Sequence, residues 1–294
     1  MIMKLKNAFK EYRPLCLGSA KHRAALLAPF FALLLLALCL TASCSGRHNT
    51  AVIVAGSTSV QPYAEILAEE FSLLCPDCEV DVQGGGSSAG ITAAESGAAD
   101  IGLSSRVLKE NEQHLWFVEI AKDGLAIIIH PANPLSNLTI EQVRAIYAAD
   151  ISNWSELGGA NNKIHLITRE EGSGTRSAFE DLVMEEKRIT TKAIVQDSNG
   201  AVKQLVSSDK NSIGFISLGL VDETVMAISL NGLAANWDNI ANGSYPLFRP
   251  FLFICKEPPT GQTKQFIDFT LSDQGQQILI KEGLIPQQTE LKDE

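Results

Sequence analysis

Four times in this chain an apolar run ends in a short stretch of glycine and hydroxyl residues: "AGSTSV" at 55–60, "GGGSSAG" at 84–90, "GLSSR" at 102–106 and "EGSGT" at 171–175. Each follows a segment that reads as a strand, and three of the four lead directly into a helical pattern. A strand that turns tightly and feeds a helix is the unit of α/β layers around a largely parallel sheet. The flanking segments repeat that alternation. "AVIVAG" (51–56) reads as a buried strand, after which Tyr63, Ile66, Leu67, Phe71 and Leu74 recur at helical spacing. "EVDVQ" and "ADIGLS" are further strands, with a helix from "ITAAES" between them. Two apolar strands, "WFVEIA" (116–121) and "LAIIIH" (125–130), flank "KDG", which reads as a tight turn. Thr139 and Gln142 form a capping-box signature opening a helix. "KIHLIT" and "SIGFISL" are strands, "RSAFEDLVMEE" and "NGAVKQLVSS" helices, and "LFRPFLFIC" (247–255) is a second long apolar run. The last helices lie in "TKQFIDFTL" and "SDQGQQILIKEG", and Gly283 is a natural stop.

In open α/β sheets ligands sit at the carboxyl ends of the strands, where these turns fall. The first N–H groups of a helix lack intrahelical partners, and the helix dipole adds positive potential there. Glycine permits close backbone approach, and Ser/Thr hydroxyls add donors. Several such ends converging would make an anion site. The turn at 171–175 lies between Arg169 and Arg176, and Arg169, at a strand end, could add a bidentate fork. Glu170 and Glu171 are its obvious ionic partners, and each turn alone could be an ordinary helix cap.

Residues 1–23 carry six Lys or Arg against one Glu, and residues 24–46 are uncharged, ending in "TASC" before Ser45. A basic head, an apolar run and small residues before a cysteine predict a lipoprotein signal peptide at 1–43, with Cys44 lipid-bearing and 44–49 a linker. Thr41 stands where such signals usually carry Leu. An uncleaved anchor is the alternative, since 23 uncharged residues could span a bilayer, and plain secretion is the third. Each version puts residues 50–294 outside the cytoplasm. Without residues 1–43 the net charge moves from −10 to −15, with 18 basic residues against 33 acidic, which disfavours nucleic acid.

Cys75 and Cys78 form "CPDC", and outside the cell they are candidates for a disulfide across that turn. Zinc would need two further ligands, and His114, His130 and His165 stand far apart in sequence, so no metal site is expected. No G-x-x-x-x-G-K-[ST] occurs, and "GGGSSAG" lacks the spacing of G-x-G-x-x-G. Gly86 to Gly90 does match G-x-S-x-G, which would make Ser88 a hydrolase nucleophile. That fold takes its histidine late in the chain, and residues 166–294 contain none. No nucleophile–base pair is evident, so the chain is not expected to be an enzyme or to need a cofactor.

Taken together, "AGSTSVQP", "GGGSSAGI", "ADIGLSSR", "TREEGSGTRSAF", "SIGFISLG", "YPLFRPF" and "FIDFTLSDQGQQILIKEGLIP" resemble the substrate-binding protein of bacterial phosphate ABC transporters, from about residue 52 to residue 286. The resemblance implies a type II periplasmic-binding-protein fold, two α/β lobes joined by two crossing strands with the ligand cleft between them. It places lobe 1 at 50–128 plus 247–294 and lobe 2 at 129–246, with "LAIIIH" and "LFRPFLFIC" as the crossings. It implies inorganic phosphate as ligand, the permease and ATPase of an importer as partners, and a monomer. The family's phosphate ligands fall on Thr58, Ser59, Ser87, Arg169, Ser173, Gly174 and Thr175. Some relatives carry an aspartate where Ser105 stands, and it accepts the proton of phosphate. Here Ser104, Ser105 and Arg106 are the candidates instead, and Glu171 becomes the candidate proton acceptor, also orienting Arg169. Another oxyanion (sulfate, molybdate, a phosphate ester) or a sensing role are the alternatives.

Overall fold

The computed structural model describes residues 51–286; the leader, Cys44 and all of the linker expected above lie outside them. Eight strands form the path of one sheet: β1 Val52–Gly56, β2 Val80–Gly84, β3 Ile101–Ser104, β4 Trp116–Ile129, β5 His165–Arg169, β6 Ile194–Gln196, β7 Ser212–Ser217 and β8 Phe248–Cys255. Their spatial order is β2-β1-β3-β8-β4-β7-β5-β6. β1 is parallel to β2 and β3, and β5 is parallel to β6 and β7. Between these parallel sets run β4 and β8, antiparallel to each other and to β7 and β3 respectively. Helices α1 Gln61–Leu74, α2 Ser87–Ser96, α3 Ile140–Tyr147, α4 Gly174–Phe179, α5 Asn199–Ser208, α6 Gly261–Leu271 and α7 Asp273–Lys281 complete the layers.

Two α/β lobes follow from this order, each with its own core. Val54, Leu67, Ile101, Phe253 and Phe266 centre the first, which also takes Ile120 and Ala121 from β4. Leu125, Ile127 and Ile129 of the same strand pack instead with Tyr147, Phe179, Phe215 and Leu247. The intervening Ala126 and Ile128 face α5 through Val202 and Val206. A strand buried on both faces has no use for polar alternation, which is why "LAIII" (125–129) is apolar throughout. On β4 the cores change between Ala121 and Leu125.

That change of core falls on "KDG", and here the structure corrects the sequence reading. There is no turn: β4 continues through Lys122, Asp123 and Gly124, which pair with Pro250, Arg249 and Phe248 of β8. Asp123 stays extended because Arg249 meets its charge. Gly124 serves close packing, since a Cβ there would lie 2.3 Å from Ile240 Cδ1. A second difference lies in "RSAFEDLVMEE": the α-helix stops at Phe179 and a π-helical turn, Glu180–Met184, follows.

Local signatures behave as their chemistry dictates. Thr139 Oγ1 accepts from Gln142 N–H at 3.1 Å, and Gln142 Oε1 accepts from Thr139 N–H at 2.8 Å. Cys75 and Cys78 are disulfide-bonded just beyond α1. Cys255 is free and buried, and burial pushes its thiol up to about 12. Among the described residues no helix is long and apolar enough to cross a membrane.

Candidate functional site

The carboxyl ends of β1, β2, β3 and β5 bring the glycine-hydroxyl turns together. Ser59, Ser87, Ser104, Ser105, Ser173 and Thr175 are all buried, as is Gly174, while Thr58 is half-buried. One group of hydroxyls belongs to lobe 1: Ser57 Oγ donates to Ser105 Oγ at 2.8 Å, and Ser105 N–H donates to Ser87 Oγ at 3.0 Å. A second group spans the lobes, with Ser59 Oγ and Thr175 Oγ1 2.8 Å apart. Asn199 Nδ2 and Arg249 Nη2 both donate to Ser59 Oγ, at 2.8 and 3.1 Å. Those two N–H groups take both acceptor positions of the hydroxyl, so its proton goes to Thr175. Thr175 Oγ1 accepts there, and its own O–H is left to donate elsewhere.

Lobe 2 approaches this closely because residue 174 has no side chain. A Cβ on Gly174 would lie 2.1 Å from Ser87 Oγ and 2.5 Å from Ser105 Oγ. Ser88 N–H donates to Gly172 O at 3.0 Å, closing the same contact. Two of the predicted hydroxyls have local duties. Ser173 Oγ caps α4 by accepting from Arg176 N–H, and Ser104 Oγ donates to Arg106 O.

Arg169 is 1% exposed and belongs to this centre. Its Nε and Nη2 donate to Glu170 at 2.8 and 2.9 Å, and Nη2 also reaches Thr58 Oγ1 and Asp197 O. Nη1 is buried with no hydrogen-bond partner. The carboxylate orienting Arg169 is therefore that of Glu170, not of Glu171 as expected; Glu171 is exposed. The reason is reach, because Glu170 follows Arg169 directly as the chain leaves β5 and fits the guanidinium edge. Arg106 differs from the expectation as well. Its Nη1 and Nη2 form a fork on Glu112 at 2.7 and 2.9 Å, which balances its charge; only a 3.5 Å contact reaches Ser88 Oγ. The hydrogen bond from Arg106 holds the Glu112 carboxyl below its ordinary value.

Four residues of the centre were missed in the sequence: Ser57, although its turn was singled out, Asn199, Arg249 and Asp123. Asn199 opens α5 beside its cap Ser198 and looked like ordinary helix-start chemistry. Arg249 and Asp123 pair from opposite crossing strands, 126 residues apart, and both are buried. Burial pushes the Asp123 carboxyl up and the Arg249 guanidinium down, and their mutual attraction opposes both shifts. The one available signal was a cation inside the apolar run "LFRPFLFIC".

Residues 42–274 match the PBP superfamily domain. The phosphate-binding protein PstS of Bacillus subtilis (strain 168) is 30% identical over 246 residues, 82% of each chain. The chain belongs to the PBP superfamily, in the family of the PstS proteins. Solved structures agree with this family. A phosphate ABC transporter substrate-binding protein from Clostridium perfringens, with bound phosphate, is 44% identical with a TM-score of 0.79, covering 81% of this chain and 99% of its own. An ABC-type phosphate transport receptor from Vibrio cholerae is 41% identical with a TM-score of 0.68, covering 80% and 99%. In this PstS-family chain the turns of the two lobes meet at Ser59–Thr175 and at Gly174, and Arg169 reaches Thr58.

Proposed function

We infer that the protein binds inorganic phosphate between its two lobes, outside the cytoplasmic membrane, and delivers it to the permease and ATPase of an ABC-type importer. The observation that carries this reading is the buried, unpartnered Nη1 of Arg169 beside a set of buried hydroxyls drawn from both lobes. The Clostridium perfringens relative, solved with bound phosphate, supports the choice of anion. Because Glu170 balances Arg169, the anion is held by directed N–H and O–H donors rather than by net charge. Donors aimed at a buried oxyanion retain their strength where bulk screening fails to reach. β4 and β8 then act as the hinge, with the chain passing between lobes near 122–124 and 248–250.

Three finer features belong to the same reading. Cys44 carries a lipid that anchors the mature protein to the membrane, and the protein is a monomer. It is not an enzyme: Ser88 Oγ meets Arg106, while His165 pairs with Asp209, His114 with Glu95 and His130 with Ala132 N–H. Loss of membrane association in a Cys44→Ala variant checks the anchor.

The deciding experiment is calorimetric titration of the purified protein, stripped of bound anion, with phosphate and then sulfate. One-to-one binding of phosphate without sulfate heat is expected. Equal binding of both would make it a general oxyanion binder, and binding of neither by folded protein would return the turns to plain helix caps.

A further inference from the structure

Among the described residues two guanidiniums are built into their surroundings in the same unusual way. Arg169 places Nε and Nη2 on a carboxylate and lends Nη2 to a hydroxyl of the 57–59 turn, Thr58 Oγ1. Arg249 places Nε and Nη2 on Asp123 Oδ2, at 3.1 and 2.9 Å, and lends Nη2 to the next hydroxyl, Ser59 Oγ, at 3.1 Å. In both, Nη1 is buried and has no hydrogen-bond partner. Arg106 differs: both its terminal nitrogens go to Glu112, and its buried unpartnered nitrogen is Nε instead. A buried guanidinium with two unpaired N–H groups is costly to fold around unless an acceptor meets them. One such arginine could be an accident of packing. Two, converging on adjacent residues of one turn, share an acceptor.

We propose that Arg249 is a second anion-binding guanidinium of the cleft, with Nη1 donating to the same bound phosphate as Arg169 and Asp123 holding it in place from β4. This rests on the phosphate reading given above. Several observations agree with it. Arg249 is 2% exposed and Asp123 1%, so the ion pair is not a surface ornament. The Arg249 guanidinium lies 5.6 Å from the Phe251 ring centroid, which fixes its plane without using a donor. Positive charge on Arg169 pushes the Arg249 guanidinium down, though less than burial does, so the two cations feel each other across the turn. An anion between them removes that repulsion.

The placement also gives Arg249 a part in closure. Asp123 Oδ1 accepts from Ser217 Oγ, in lobe 2, at 2.7 Å, and Arg249 reaches Ser59 in lobe 1. Ser59 in turn donates to Thr175 of lobe 2. An anion on Arg249 Nη1 therefore engages the hinge strand itself, so occupancy of the cleft and the approach of the lobes become one event.

The test compares the purified parent protein with an Arg249→Lys variant, each titrated with inorganic phosphate and each melted without it. Lysine keeps a cation against Asp123 but lacks the planar pair of N–H groups beyond it. The expected result is a phosphate Kd weaker by about tenfold or more, with the anion-free Tm within a few degrees of the parent. A double variant, Arg249→Gln with Asp123→Asn, replaces the ion pair by an amide pair; about 30-fold weaker binding is expected. If Arg249→Lys does not fold, the Kd of this double variant decides. A parent-like Kd in a folded variant overturns the proposal and leaves phosphate binding standing, with Arg249 reduced to a structural ion pair. A parent that binds no phosphate overturns the functional reading and this proposal with it.

Discussion

Arg169 is the side chain on which affinity should depend most visibly. Truncating one member of a buried, hydrogen-bonded charge pair costs about 2–5 kcal/mol, or about 30- to several-thousand-fold in Kd. Arg169→Ala is therefore expected to weaken phosphate binding by that range in calorimetry; an unchanged Kd would leave Arg169 as a partner of Glu170 alone. The two adjacent glutamates should separate cleanly. Glu170→Gln loosens the fork on Arg169 and should weaken binding, whereas Glu171 is exposed and Glu171→Gln should leave both affinity and the preference over sulfate unchanged. Loss of that preference in Glu171→Gln would instead restore it as the acceptor of the phosphate proton. That Arg169 belongs to a site was legible in the sequence, because strand end, arginine and glycine-hydroxyl turn are contiguous. Which glutamate it holds was not, since adjacent carboxylates differ only in the direction the chain takes on leaving β5.

At the scale of elements, the loop into α4 and the turn before α2 meet backbone to side chain. Gly174→Ala would drive a methyl group against Ser87 Oγ and Ser105 Oγ, at 2.1 and 2.5 Å before relaxation. These residues belong to opposite lobes, so the strain falls on closure rather than on either core. The expected outcome is a Kd weaker by about tenfold with the anion-free Tm nearly unchanged; equal affinity would mean that the lobes need not come this close. The Cys75–Cys78 bridge ends α1 and closes a loop of only four residues, so the chain-entropy gain is small, about 2 kcal/mol. Reduction should lower Tm by about 4–8 °C without altering phosphate affinity. A collapse of binding on reduction would mean that the bridge positions more than the helix end. The hydroxyl turns were readable because strand, turn and helix start are local in sequence. "KDG" was misread for the same reason: Asp-Gly is a local turn signature, and only the pairing with β8 keeps it extended.

For the whole molecule, phosphate that binds only the folded state should raise stability by about 2.7 kcal/mol at one hundred times Kd. For a chain of this size that is a Tm rise of about 5–11 °C, with none from sulfate; equal shifts from both anions would contradict the selectivity. Acid should act through carboxylates held in the charged form. Glu112 has its carboxyl below the ordinary value of 4.5, first because Arg106 donates to it. The folded protein therefore binds this proton less readily than the unfolded chain. Its contribution is fully present above about pH 4.5 and is lost as pH falls through the lowered folded value. Glu112→Gln should thus reduce Tm at neutral pH and flatten the acid limb of the Tm–pH curve; an unchanged limb would show that the Arg106 fork contributes nothing to stability.

The sequence by itself determined the α/β alternation, the four glycine-hydroxyl turns at strand ends and the position of Arg169 among them. Each is written in residues adjacent along the chain, where strand, turn and cap chemistry operate. Tertiary structure alone decided that "KDG" continues a strand and that Arg249, paired with Asp123, lies beside Ser59. Those outcomes depend on β4 pairing with β8 across 126 residues, and on burial that raises the cost of an unpaired charge until a partner is supplied from the far end of the chain.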